Sequence, residues 1–373
     1  MKVALELGLN VEAPRGADVY YHGLVQGLRE LKTEHRFVLF SYFYKDFAAK
    51  AAKLPGAGAN VELAYKRWPE RLVRSAEALG LPVIDRLFVR PSGADLYHGL
   101  GGVPPRLSVP TVTTVYDLLP EVLRERAAAR GESPPPAPPS CGAQAQRADR
   151  IITISAATRD DLVRFYGVDA NRVTVVHLGV DHAMFKPAPE AGPSEALPEK
   201  YVLFVGPFEY RRNAEAGLQA VAAMKARGLG VVLVGKMNAY GESLRRLAAS
   251  LGLADRAVFT GFVPREDLPR LYSRALAFVH PEHYDGYSLQ LLEAMACGAP
   301  AVISGAPALT EIAQGDALIC GTDAASVRAQ LERLLDEPGL REAMRARSLA
   351  RAATFSWKKT AEQTVAVYEE LIR

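Results

Sequence analysis

Cysteine is scarce: Cys141, Cys297 and Cys320 are the three in 373 residues, far apart and without a C-x-x-C pair. An odd, scattered set argues against a disulfide framework and a cysteine-ligated zinc site, and for a reducing compartment. A large excess of charge of one sign is missing too. The net charge of +3 on this length gives no support to general nucleic-acid binding. No apolar run, YVLFVG and VVLVG included, approaches the ~18 residues that a membrane span requires. The N-terminus MKVALELGLNVE has polar residues too early for a signal peptide, and Glu6 interrupts its apolar run, so it reads as a first strand. A soluble, cytoplasmic chain is expected, at most peripheral at the inner membrane face. G-x-G-x-x-G is absent, which lowers the case for a nicotinamide-dependent dehydrogenase.

What is present is ordinary for a globular protein: 49% hydrophobic and 23% charged residues. The length suits two domains, since single cores stop growing near ~250–300 residues. Short apolar runs alternate with helix-like segments. VALELGL, FVLFSYF, ADLYHGL, PTVTTVYD and IITIS are strand candidates in the first half. YVLFVG, VVLVG, AVFTGF, LAFVH and PAVIS follow in the second. Continuous apolar runs separated by helices predict parallel strands covered on both faces, hence two doubly wound α/β domains. The boundary is expected within 179–198, where periodicity fades and Pro and Gly gather. GESPPPAPPSCG at 131–142 reads as a mobile loop of the first domain, since proline fits neither helix interior nor central strand. The last segment, FSWKKTAEQTVAVYEELIR, reads as an amphipathic helix with Trp357, Val365, Tyr368 and Ile372 at helical spacing.

In open α/β sheets ligands bind at the carboxyl ends of strands, so the loops that follow strands matter most. After the first strand, Gly16 opens a helix and would let backbone approach a phosphate, though such glycines are common. After YVLFVG, Arg211 and Arg212 suit a diphosphate or are solvated surface charges. After TVTTV, Tyr116 is core or substrate contact. Asp117 ends a buried strand, where a lone acid is costly unless paired or functional. After LAFVH, His280, Glu282, His283 and Asp285 crowd together as metal ligands would. Pro281 and the short spacing do not fit a helical H-x-x-x-H, and solvated loop histidines are the favoured reading. No metal is expected, and no D-x-D offers ligands for metal-bridged sugar-nucleotide binding.

DGYSLQLLEAMACGAP at 285–300 poses a separate question, because a helix this rich in Leu, Ala and Met needs neither of its acids. Gly286, Tyr287, Ser288 and Leu289 lead into a helix whose first amides lack intrahelical partners and favour an anion. Glu293, more than a turn further, is able to accept two hydrogen bonds from a vicinal diol. Phosphate at the helix mouth, diol further in and acid near the entrance together describe a sugar nucleotide.

This stretch resembles the Glu-x(7)-Glu motif of retaining glycosyltransferases of family 4, commonly close to EGFGLPxLEAMACGxPVV. The resemblance covers most of the chain. VGPFEYRRN resembles the family's VGxxxxRKN, and GFVPREDLPRLYSRALAFVHP the segment leading to the motif. ADRIITISAATRDDLVRFYGVDANRVTVVHLGVD resembles the end of the N-terminal domain. ALTEIAQGDALIC, with Glu311 at a commonly acidic position, resembles the stretch after the motif, and FSWKKTAEQTVAVYEEL the closing helix.

The resemblance implies a GT-B fold, two Rossmann-like domains facing a central cleft. Residues 1–181 with a returning closing helix, 356–373, would form the acceptor side, and 182–355 the nucleotide-sugar side. It implies retaining, metal-independent transfer of a hexose from a UDP- or GDP-linked donor to a glycan or lipid-linked acceptor. No cofactor is called for. Arg211 and Arg212 would hold the diphosphate, Glu293 the ribose hydroxyls and Asp285 the donor sugar, with Gly286, Tyr287, Ser288 and Leu289 nearby and Gly16 approaching from the first domain. His98, Tyr116 and Asp117 are expected on the acceptor side.

Three departures stand out: Asp285 where the family has Glu, Arg212 where it has Lys, and Tyr116 where it has His. Those at Tyr116 and Asp285 feed the alternative of a non-catalytic GT-B binding or scaffold protein; an epimerase or phosphorylase on the same fold is a third. YKRWPERLVRSAEAL at 65–79 sets Arg67, Arg71 and Arg74 on one helical side near Trp68, either for contact with anionic lipid or simply solvated.

Overall fold

A computed structural model describes residues 1–7, 16–100, 105–129, 131, 133, 142–188 and 197–373. Residues 10–15 of the first phosphate-approach loop, most of the 131–142 segment and Cys141 lie outside the described residues. The chain forms two compact units, Met1–Gly179 with Ser356–Arg373, and Val180–Phe355. The sequence puts this boundary between 181 and 182.

The first unit holds seven strands: β1 (Lys2–Leu7), β2 (Arg36–Tyr42), β3 (Val61–Lys66), β4 (Leu96–Leu100), β5 (Thr111–Val115), β6 (Arg150–Thr153) and β7 (Val173–Val175). They pair in parallel in the order β3-β2-β1-β4-β5-β6-β7. The second holds six: β8 (Tyr201–Val205), β9 (Gly230–Val234), β10 (Ala257–Gly261), β11 (Ala277–His280), β12 (Ala301–Ser304) and β13 (Leu318–Cys320). Their order is β10-β9-β8-β11-β12-β13, again parallel. Runs such as Val231, Val232 and Leu233 are buried on both faces. That is why the strands read as continuous apolar segments rather than alternating ones.

In each sheet the chain starts in the middle, winds to one edge and returns to build the other. The reversal places a crevice at the carboxyl ends of β1 and β4, and of β8 and β11, where such folds bind ligands. In the first unit the loops directly after β1 and β4 lie largely outside the described residues. The second unit's crevice is fully described.

The closing helix, Trp357–Ile372, belongs to the first unit. It lies on the first helix, Gly16–Glu30, because that helix carries glycines one turn apart. A Cβ at Gly23 would sit 2.1 Å from the Trp357 indole, and one at Gly27 would sit 2.1 Å from the Trp357 carbonyl oxygen. Gly179 faces the Trp357 backbone in the same way, at 2.2 Å. Of the four residues at helical spacing, Trp357, Val365 and Tyr368 are buried, while Ile372 is exposed at the helix end.

His98 corrects an expectation. Instead of facing an acceptor it lies in the core of β4, its Nδ1 2.6 Å from the Tyr368 hydroxyl and its Nε2 2.8 Å from Thr114 Oγ1. Both ring nitrogens are engaged within the first unit, which ties the closing helix to the sheet. Burial pushes its pKa down to about 3. A folded value below the unfolded one means that the unfolded chain takes the proton first. Stability is therefore expected to fall as pH drops below the ordinary histidine range, by about 2 kcal/mol at pH 5 from this group alone. Urea titrations of the chain and of His98→Asn at several pH values check this; the variant should lose that acid sensitivity.

Arg74 corrects another. It turns inward, 3.2 Å from the buried carboxylate of Glu6 and over the Tyr42 ring at 5.6 Å, so it leaves the basic set proposed for lipid. Glu6 also accepts from Tyr42 at 2.9 Å and from Tyr97. Among the described residues, no helix is long and apolar enough to cross a membrane.

Candidate functional site

The crevice of the second unit opens between β8 and β11, which pair directly. The loop after β8 carries Arg211 and Arg212 in a 3₁₀ turn, Tyr210–Arg212. The loop after β11 carries Glu282 and Asp285. Two strands distant in sequence thus bring two cations and two acids to one point. Asn213 holds the loops together: its Nδ2 donates to Pro281 O at 3.0 Å and Thr322 O at 2.8 Å. Its φ of 53° lies in the left-handed region that asparagine tolerates better than most residues. His283 N donates to Arg211 O at 2.9 Å, closing the same junction. Asn213→Ala is expected to lose about 1–3 kcal/mol of stability, and Asn213→Gly to recover only the backbone part. Denaturant midpoints measure both.

The charges are tightly interleaved. Arg212 donates to Glu282 and lies 3.6 Å from Asp285. Arg211 Nη1 lies 3.4 Å from Glu282, 3.7 Å from Asp285 and 3.2 Å from Tyr284 O, and Arg211 Nε donates to Glu209 at 2.7 Å. Arg211 and Arg212 are not the solvated pair that one reading of the sequence offers: their side chains are 18% and 12% exposed. Burial disfavours the charge of Asp285, yet Arg212, His280 and Arg211 outweigh it and hold the carboxyl well below the usual range. Burial likewise works against Arg211, and Asp285 and Glu282 more than offset it.

His280, read as a solvated loop histidine, is buried at the end of β11, stacked on Phe278 at 5.1 Å. Its Nε2 lies 2.8 Å from Glu282 and 2.8 Å from Ser288 Oγ. His283 is half-buried and stacks on the Tyr210 ring at 5.8 Å. His280, Glu282 and Asp285 each bring a ligand atom within 4.8 Å of the others. Both carboxylates are already paired with guanidiniums, so a divalent ion would have to displace an arginine.

The motif helix, Leu289–Ala296, starts at Ser288, whose Oγ accepts from Leu291 N at 3.3 Å. Ser288 has φ of 78°, a strained setting for a residue with a Cβ. The amides of Leu289 and Gln290 have no intrahelical acceptor and lie at the positive end of the helix. Gly286 and Tyr287 are buried beside them.

From Leu291 to Ala296 every side chain is buried, Glu293 included. Arg265 donates to its carboxylate. Burial pushes the Glu293 carboxyl above its ordinary value, against Arg265 and Tyr272, which favour the ionised form.

In the first unit, Tyr116 is half-buried, edge-on to Tyr20 at 5.6 Å. Asp117 is exposed, and its Oδ1 accepts from Leu119 N at 3.0 Å, at the start of the helix Leu119–Ala129. The costly buried acid expected there is instead a solvated helix-start residue. Gly16 begins its helix with no atom within 4 Å of where a Cβ would lie, so nothing among the described residues demands glycine.

Sequence reasoning missed Arg265, and it missed Glu282 and Asn213 as organisers of the arginines. An acid two residues past a strand was the available signal for Glu282, but it needs the knowledge that β8 and β11 are neighbours.

Two Rossmann-like units with this crevice define the GT-B class. The chain belongs to glycosyltransferase family 4: the family profile "Glycosyltransferase Family 4" matches residues 14–184 and "Glycosyl transferases group 1" matches residues 190–351. It is 32% identical to the D-inositol 3-phosphate glycosyltransferase of Frankia alni, over 72% of this chain and 70% of that one. It is 30% identical to O-antigen chain mannosyltransferase B of Escherichia coli, over 59% of this chain and 60% of that one. The chain spans 60–63% of the length of the first curated relatives it matches. In fold it is similar to Anabaena Alr3699/HepE, crystallised with UDP-glucose, with a TM-score of 0.73 at 18% identity over 100% of both chains. WaaG, a glycosyltransferase involved in lipopolysaccharide biosynthesis, has a TM-score of 0.68 at 16% identity over 98% of this chain and 99% of that one.

Proposed function

We propose that the chain is a retaining glycosyltransferase that moves a hexose from a UDP- or GDP-linked donor to a glycan or lipid-linked acceptor. The observation that carries this reading is the half-buried arginine pair at the β8/β11 crevice, beside the mouth of the motif helix. Cleaving the glycosyl–phosphate bond builds negative charge on the departing diphosphate. Arg211, Arg212 and the Leu289 and Gln290 amides are fixed donors for that charge, the role a metal has in other sites. Glu293 holds the ribose diol and Asp285 faces the sugar. The acceptor oxygen bonds to the anomeric carbon on the face the diphosphate leaves, and its proton passes to the departing phosphate oxygen. Family membership supports this same-face course, because the family offers no clear carboxylate nucleophile such as a double-displacement route requires. The names of the relatives and the UDP-glucose bound to the HepE protein support a nucleotide-sugar donor. Slow hydrolysis across a set of UDP- and GDP-sugars tests the proposal: one donor should be turned over, and none by Glu293→Ala.

A second reading, a non-catalytic binding protein, draws on Glu282 and Asp285, which already neutralise the arginines. Nucleotide binding with no turnover of any donor would favour it.

Peripheral membrane contact forms part of the proposal. Trp68 and Leu72 are exposed beside Arg67 and Arg71, a pairing of apolar and basic side chains that suits anionic lipid. Sedimentation with anionic vesicles should carry the chain down, and Arg67→Glu with Arg71→Glu should abolish this. Equal recovery in the supernatant with and without vesicles would end the idea.

A further inference from the structure

We propose that Glu282 is a positioning residue of the donor site, holding both guanidiniums and the His280 ring in the arrangement that meets the departing diphosphate. This rests on the donor-site reading above. The Glu282 carboxylate has no exposed surface and is shared three ways. Oε1 accepts from Arg212 and lies 2.8 Å from His280 Nε2, while Oε2 lies 3.4 Å from Arg211 Nη1. Its own carbonyl accepts from Ser304 Oγ at 2.6 Å, so the end of β12 fixes the residue from behind. A carboxylate out of water is costly unless every oxygen is bonded. Glu282 meets that condition only when both arginines and His280 lie where they are found. It therefore constrains them as much as they stabilise it.

The constraint serves the diphosphate for a geometric reason. Asp285 also touches both guanidiniums, but at 3.6 and 3.7 Å, a looser hold. Arg212 Nε has no hydrogen-bond partner among the described residues, so its fork is anchored at one end only. Glu282 engages Nη1 of each guanidinium and so leaves their Nη2 donors to offer an anion.

His280 links this device to pH. The groups that face it are Phe278 on its own strand at 5.1 Å, Arg212 from the 210–212 turn at 3.4 Å, Glu282 and Asp285 from the β11 loop at 2.8 and 3.6 Å, and Ser288 at the helix cap at 2.8 Å. With the ring neutral, Glu209, Glu282 and Asp285 outnumber Arg211 and Arg212 by one. Protonation balances the cluster and favours an incoming anion. Burial opposes the ring's charge, but Glu282 and then Asp285 outweigh it and raise its pKa above the ordinary histidine value. The proton is thus held to higher pH than on an ordinary histidine and lost as pH rises through that raised value, and nucleotide affinity weakens on that alkaline side.

Glu282→Gln tests the proposal by splitting binding from turnover. UDP and GDP are titrated calorimetrically from about pH 6 to about pH 9, and hydrolysis of UDP-glucose and GDP-mannose is followed with the same samples. Having lost one negative charge, the variant should bind the nucleotide within about threefold of the unaltered chain, or tighter. Its turnover should fall by at least ~10-fold, because the guanidiniums are no longer aimed. The alkaline loss of affinity should move to lower pH, since the main group holding the His280 proton is gone. Glu282→Asp, one methylene shorter, should keep the pH profile and recover part of the turnover, and it carries the test if the Gln variant does not fold. Equal losses of affinity and turnover with an unmoved pH profile would mean that Glu282 is merely structural, and unchanged turnover would also overturn the proposal. No binding of either nucleotide by the unaltered chain would instead defeat the donor-site reading itself.

Discussion

Arg212→Ala is expected to lower turnover by roughly 10²–10³-fold, about 2.7–4 kcal/mol of barrier, the cost of removing one fixed donor from a developing anion. The size follows from where the guanidinium sits. Its side chain is 12% exposed, in the loop after β8 and against the acids of the loop after β11, so water is a poor substitute. Gly206, just past the end of β8, has φ of 146°, a backbone setting that side chains with a Cβ rarely adopt, and it lies against the guanidinium. Removing the cation also leaves Glu282 with less compensation, so the melting temperature should fall as well. Arg212→Lys separates the two effects. It keeps a charge near Glu282, and most of the stability, but loses the planar fork, and turnover should recover only in part. Steady-state hydrolysis with thermal unfolding on the same preparations measures both.

Glu293→Ala should weaken nucleotide affinity by about 100-fold, close to 2.8 kcal/mol, since the two hydrogen bonds proposed to the ribose would be lost. The helix around it is buried on every side from Leu291 to Ala296, an unfavourable place for an acid unless it serves a ligand or a partner. Arg265 is that partner in the structure, and it is itself 40% exposed. A purely structural pair would show its loss in stability rather than in affinity, so a loss of affinity in a variant that remains folded points to the ribose role. Comparing UDP with its 2′-deoxy form isolates the contact. The unaltered chain should prefer the ribose by roughly tenfold, and Glu293→Ala should not distinguish the two. Equal preference in both proteins would remove Glu293 from the ribose.

Much of this architecture is legible in the sequence, for physical reasons that also mark the limit. Strands covered on both faces must be apolar throughout, so YVLFVG and VVLVG declare themselves as β8 and β9. The closing helix is visible because Trp357, Val365 and Tyr368 repeat at its period. Strand order is not written locally. Nothing in residues 201–213 says that β11 lies beside β8, so the pairing of Arg211 and Arg212 with Glu282 could not be read. His98 shows the same limit: a histidine between Tyr97 and Gly99 looks available, and only the closing helix, 270 residues on, supplies its partner Tyr368. Asp117 fails differently. A residue just past a buried strand can already be solvent-exposed, and its bond to Leu119 N marks a helix start two residues on.

The motif DGYSLQLLEAMACGAP joins these levels. Its two acids are not equivalent: Asp285 is held by arginines and kept strongly acidic, while Glu293 is pushed the other way by burial. Opposite displacements of two carboxyls in one crevice suit the separate tasks proposed for them at the sugar and the ribose.

Calorimetric titration of the unaltered chain and of Arg212→Ala with UDP and GDP tests the central claim most directly. Saturable binding of one of the two nucleotides by the unaltered chain is expected, with a loss of at least ~10-fold in the variant. Absence of affinity for both nucleotides, or equal affinity in chain and variant, would contradict it.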